Sequence, residues 1–175
     1  MITGGKGGAI TNKFGLAFEK RIDLRVAFNK IPNYKVKDDE LYFNNKLVAR
    51  FYKKNEIYSK LLKKYNIEWK DFLSKRLLPD ETILVLKNNT FFIIEMKFQH
   101  ISGSVDEKLQ TCDFKLHQYQ RLLSKSGLRV KYIYVLNDWF KKKEYKDTLN
   151  YIKSVGCEYY FEELPLKILG LPNSL

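Results

Sequence analysis

The sequence is poor in the residues that staple or metallate small proteins, with 2 cysteines and 2 histidines in 175 residues. Cys112 and Cys157 lie far apart and form no Cys-x-x-Cys pair. Neither a disulfide framework nor a zinc site is indicated, and both read as reduced packing residues. His100 and His117 have no recurrent ligand spacing, which argues against a histidine-based metal site. No apolar run approaches the roughly 20 residues needed to span a bilayer. The opening Met1-Ile2-Thr3-Gly4-Gly5-Lys6 lacks the apolar core of a signal peptide. We therefore expect a soluble, cytoplasmic protein with no membrane segment. Linkers, repeats and low-complexity stretches are absent too, so residues 1–175 read as a single domain able to bury an adequate core. Negative charge is also in short supply: 20 acidic against 32 basic residues give a formal net charge of +12. Such an excess favours a polyanion, either nucleic acid or an acidic membrane surface. The membrane alternative is weaker, because the positive charge is not gathered on a long amphipathic helix with Trp or Phe opposite.

What the chain does have is Leu77 to Gln99, LLPDETILVLKNNTFFIIEMKFQ, where three charged side chains interrupt a stretch that otherwise reads as buried. Thr82 to Lys87 and Thr90 to Phe98 are short β-prone runs separated by Asn88-Asn89, which tolerate the positive φ of a two-residue hairpin turn. With that turn, Lys87 pairs with Thr90, Leu84 with Ile93, Thr82 with Glu95 and Asp80 with Lys97. Asp80, Glu95 and Lys97 then share the face that carries Leu84, Leu86, Phe91 and Ile93. The opposite face, with Ile83, Val85, Phe92, Ile94 and Met96, is apolar as well, as in a central strand covered by helices on both sides.

Carboxylates in such a place are costly unless something compensates them. A half-exposed structural ion cluster is one reason for them. A second is chemistry: two hard oxygen ligands beside a lysine suit a Mg²⁺-dependent phosphodiesterase, in which the carboxylates hold the metal and the metal activates water. Pro79-Asp80 followed by Glu95-Met96-Lys97 resembles the PD-(D/E)xK nuclease superfamily. GGKGGAITNKFGLAFE near the start and QHISGSVDEKLQT after the pattern are similar to segments of type II restriction endonucleases of that superfamily, and the resemblance covers Gly4 to about Leu136.

The resemblance implies a restriction-endonuclease-like α/β core, a mixed central sheet flanked by helices. It also implies cleavage of double-stranded DNA to 5′-phosphate and 3′-hydroxyl ends. Asp80 and Glu95, with the Met96 carbonyl, would hold Mg²⁺, and Lys97 would orient or deprotonate the attacking water. Glu19 would be an auxiliary acid on the first helix. A two-fold homodimer on a palindromic site would double the contacts of so small a chain, and a cognate DNA methyltransferase acting on the same site is a possible partner. A structure-specific nuclease of the Holliday junction resolvase kind would share these residues. A DNA-binding module that does not cut would keep the basic surface alone.

The remaining elements follow from pattern. The Gly4–Gly8 run and Thr11 or Asn12 as N-cap predict a helix to about Phe28, with Phe14, Phe18, Ile22 and Val26 as its apolar stripe. The glycine run lacks the Gly-Lys-Ser/Thr of a P-loop. Lys6, Asn12 and Lys13 in this stretch are candidate DNA contacts. Lys35 to Phe51 reads as an exposed hairpin turning at Asn44-Asn45, Asn55 to Tyr65 as a basic helix with Ile57, Leu61 and Leu62 inward, and Trp69 to Leu73 as a short helical turn. Ser104 to Glu107 is a capping box that opens a long helix ending near Gly127. It sets a helix N-terminus beside the end of the Glu95 strand, where a phosphate is favoured. Gln99, Ser104, Lys108 and Gln110 would lie near that phosphate, and Gln118 would read base edges or face solvent. Arg129 to Leu136 should be a strand parallel to the Glu95 strand. A helix from Glu144 to Val155, a strand from Cys157 to Phe161 and a short tail from Pro165 to Leu171 complete the chain.

Overall fold

The computed structural model describes residues 15–17, 23–100 and 105–173. Its centre is a seven-stranded sheet in the order β2 (Tyr34–Lys37), β3 (Glu40–Phe43), β4 (Lys46–Phe51), β5 (Glu81–Val85), β6 (Thr90–Lys97), β7 (Arg129–Leu136) and β8 (Glu158–Phe161). β2 to β6 run as an antiparallel meander, whereas β7 joins β6, and β8 joins β7, in parallel. A parallel neighbour needs a crossover. The segment between β6 and β7 supplies it with α2 (Val105–Leu109) and α3 (Cys112–Leu122), and α4 (Lys146–Ser154) links β7 to β8. The architecture is thus α/β, a mixed sheet flanked by helices.

Alternation along β5, β6 and β7 divides the core in two. Leu84, Phe91, Ile93, Tyr132 and Tyr134 pack with α3, α4 and a π-helical segment, Ile57–Leu62, on one face. Ile83, Val85, Phe92, Ile94, Met96 and Val135 pack on the other against α1 (Leu24–Phe28) and α5 (Leu166–Leu169). The face assignments expected for the central hairpin therefore hold for its apolar residues except Leu86, which is exposed in the turn, and β5 and β6 are buried on both sides apart from Lys97.

The register of that hairpin differs from expectation. Val85 pairs with Thr90, Thr82 with Ile93 and Glu81 with Ile94, so the connection is four residues, Leu86 to Asn89, rather than two. Leu86 is drawn off to β4, its amide donating to the Val48 carbonyl at 3.0 Å. The Asn88 side chain closes the turn by accepting from the Thr90 amide at 3.2 Å and donating to the Leu169 carbonyl at 3.0 Å. A slip of two residues keeps every side chain on its own face. The two-residue turn occurs instead at Asn44-Asn45, where φ is 47° and 62° and Phe43 pairs with Lys46. One further hairpin, β2–β3 turning at Asp38-Asp39, was not expected.

Two helices are shorter than their patterns suggest. Of the N-terminal helix expected up to Phe28, the described residues contain α1. Asp23 caps it, accepting from the Arg25 amide at 2.8 Å, and Val26, expected inward, is 49 % exposed. Upstream, Gly15–Ala17 is a strand, β1, paired with β9 (Glu163–Pro165). Phe14, Phe18 and Ile22 of the expected stripe lie outside the described residues. The helix expected to run unbroken to Gly127 is interrupted between α2 and α3. There the Thr111 hydroxyl and the Tyr134 phenol both donate to the Lys108 carbonyl, at 2.8 and 3.2 Å, in competition with the helical ladder.

Candidate active site

β6 outlasts β5. The β5 pairing ends at Glu81 with Ile94, while β7 stays paired through Lys97 with Leu136, so Glu95, Met96 and Lys97 extend past the end of the antiparallel ladder. Glu95 and Lys97 share a face because they are two residues apart on a strand. Continuing the register sets Asp80 opposite Glu95. Lys97 Nζ lies 2.9 Å from Glu95 Oε2 and 3.9 Å from Asp80 Oδ2, so one nitrogen marks a point that both carboxylates approach.

The backbone adds a fourth polar group. The Lys97 carbonyl accepts from the Asn137 amide at 3.3 Å, on the β7 side. Successive residues of a strand turn their backbone groups to alternate edges, so the Met96 carbonyl points to the β5 side. The residue that the register would bring opposite is Pro79, which has no N–H to donate. Tyr58 fixes the approach to Pro79: its hydroxyl accepts from the Leu77 amide at 2.7 Å and donates to the Leu77 carbonyl at 2.9 Å.

A residue that sequence reasoning missed completes the cluster. Lys115 on α3 donates to both Glu95 oxygens, at 2.8 and 3.0 Å. It adjoins Leu116 and lies one turn before Tyr119, both buried, so its place at the edge of the inward face of α3 was the signal available. The Glu95 side chain is only 7 % exposed. Burial is the largest influence on its carboxyl and pushes the pKa up, but Lys97 and Lys115 together outweigh it and hold the group below the ordinary glutamate value. Tyr132, on β7, is buried beside the same carboxylate; burial and the nearby negative charge push its phenol far up, and its hydroxyl makes no hydrogen bond of ordinary geometry.

On the other face of β5 stands a second charged group that the sequence did not reveal. Glu81 is buried, with Lys53 Nζ 3.4 Å away, and Lys53 also pairs with Asp23. Burial pushes the Glu81 carboxyl up to about 7 against the pull of Lys53, and its Oε2 has no hydrogen-bond partner among the described residues. Arg25 extends this group to Asp39 and Glu56, at 2.7 and 3.3 Å.

The other expected site residues are placed as follows. Gln99 is buried rather than presented to solvent. Its backbone is clamped by the Asn137 side chain, which accepts from the Gln99 amide at 3.1 Å and donates to its carbonyl at 2.8 Å, while its own side-chain amide has no hydrogen-bond partner among the described residues. Lys108 and Gln110 are exposed, and Gln118 is half-buried. Tyr134, the β7 neighbour of Glu95, binds the Lys108 carbonyl and so draws the end of α2 toward the site. Lys6, Asn12, Lys13, Glu19 and Ser104 lie outside the described residues.

Among the described residues, no group of three or more His, Cys, Asp or Glu side chains is placed to hold a metal ion. Oxygen donors suited to a hard divalent cation at this point are two carboxylates, Asp80 and Glu95, and the Met96 carbonyl, with water completing the shell. No helix among the described residues is long and apolar enough to cross a membrane. Comparison of the chain with protein-family models, with characterised proteins and with solved structures gave no match.

Proposed function

We propose that this protein is a Mg²⁺-dependent endodeoxyribonuclease of restriction type, with a restriction-endonuclease-like core, acting on double-stranded DNA. The observation that carries this reading is the convergence of Asp80 and Glu95 on Lys97 Nζ at the open end of β6. The donor set fits a hard cation, and a net charge of +12 suits a polyanionic substrate. A cation held there would neutralise charge on the scissile phosphate and lower the pKa of a bound water.

The protein's own groups divide the remaining work. Asp80 and Glu95 hold the cation, helped by the Met96 carbonyl, to which Pro79 has no N–H to donate. Lys97, 14 % exposed and anchored to both carboxylates, orients the attacking water and supplies positive charge beside the phosphate. Lys108 and Gln110 offer donors to the DNA backbone from the exposed end of the crossover. A two-fold homodimer would supply the surface for reading a whole site.

Incubation of the protein with plasmid and genomic DNA, in Mg²⁺ or in EDTA, tests this reading. Discrete Mg²⁺-dependent fragments are expected. A smear, or cutting restricted to branched substrates, would favour a structure-specific nuclease. Binding without cleavage would leave a DNA-binding module.

A further inference from the structure

Glu95 is occupied. Lys115 reaches both of its oxygens and Lys97 reaches Oε2, so the carboxylate on which the metal-dependent reading rests is already neutralised by two ammonium groups. The two lysines are not equivalent. Lys97 is fixed to the same strand as Glu95 and is 14 % exposed, whereas Lys115 comes from α3 and is 29 % exposed.

We propose that Lys115 is a built-in counter-ion for this carboxylate: in the free protein it occupies Glu95, and it must swing off before a divalent cation is held there. The inference rests on the metal-dependent reading above and names a control on that same site.

Charge accounting supports it. Among the described residues, Asp80 and Glu95 against Lys97 and Lys115 sum to zero, which leaves no uncompensated charge beside a carboxylate as buried as Glu95. A divalent cation added with Lys115 in place would leave the cluster at +2. With Lys115 released into solvent, the cluster stands at +1, which matches a single phosphodiester. Geometry points the same way, since the two oxygens that Lys115 engages are the only side-chain donors Glu95 has. The contact with the Tyr132 ring, 6.0 Å from Lys115 Nζ, is long, so little besides Glu95 retains the ammonium.

The test is Mn²⁺ affinity of the full chain without DNA, measured by the loss of the free-ion electron paramagnetic resonance signal. Mg²⁺-dependent cleavage is measured in parallel. Lys115→Met should bind Mn²⁺ at least about tenfold more tightly than wild type, because a competing charge within hydrogen-bond distance has gone. Lys115→Arg, which keeps the charge, should stay near wild type. Lys125→Met, which removes an exposed charge remote from Glu95, should also match wild type and so exclude a net-charge effect. Should Lys115→Met fail to fold, as judged by circular dichroism, Lys115→Gln takes its place. Unchanged Mn²⁺ affinity in the neutral variant of a wild type that cuts DNA overturns the role of Lys115 and leaves the nuclease reading standing. Absence of both Mn²⁺ binding and cleavage in every form overturns both.

Discussion

Lys97 and Glu95, two residues apart on β6, form an ion pair of 2.9 Å at the point where the antiparallel part of the sheet has ended and the parallel part continues. The pair is held on one edge by β7, and the other edge faces Asp80 across a chain that begins with a proline.

Glu95→Ala and Asp80→Ala are each expected to abolish Mg²⁺-dependent cleavage while leaving DNA affinity within a few-fold. Losing a metal ligand removes charge stabilisation in the transition state but few ground-state contacts. Gel-based cleavage and fluorescence anisotropy report the two quantities separately, and normal cutting by either variant would sink the site assignment.

Lys97→Arg should lose at least about 100-fold in cleavage rate, the size associated with acid–base assistance. The guanidinium keeps the charge but replaces a compact ammonium by a bulky planar fork, which displaces the group that orients the water. Single-turnover kinetics together with an unchanged melting temperature would support this; wild-type rates would contradict it.

DNA binding should weaken by at least about 100-fold between roughly 50 and 200 mM salt, because basic side chains displace counterions from the backbone. A flat salt dependence would argue against duplex DNA as the ligand.

Glu81 predicts a pH dependence of stability. Burial raises its folded-state pKa from 4.5 to about 7. Between those values the native state binds more protons than the unfolded chain, so stability falls as pH rises through that window. Glu81→Gln keeps the shape without the charge and should be more stable than wild type at pH 8, by on the order of 1 kcal/mol once solvent screening is discounted. Below about pH 5 the two should converge. Denaturant titrations at pH 5 and pH 8 check the sign, and a greater advantage for the variant at pH 5 would refute it.

The sequence disclosed the site's face but not its register. Apolar residues on both faces of Leu84 to Met96 announced a central hairpin, and parity alone put Glu95, Lys97 and Asp80 together. The turn was misjudged because Leu86 bonds to β4 and Asn88 to α5, partners remote in sequence. The same limit hid the β1–β9 pairing. The four-residue spacing of Phe14, Phe18, Ile22 and Val26 is that of a helix, whereas the distant Glu163–Pro165 segment makes Gly15–Ala17 a strand. Lys115 was invisible for a related reason, since it meets Glu95 only after the crossover has folded back over the sheet.

The β1–β9 pairing also bears on the order in which the chain assembles. Leu16 and Leu164 are fully buried and paired, yet they are joined by nearly the whole intervening chain and belong to a two-stranded sheet separate from the central one. Closing so long a loop gains nothing until the seven-stranded sheet exists to bring the ends together. This clasp should fasten last and open first, and amide exchange at Leu16 and Leu164 should run ahead of exchange in β6 and β7.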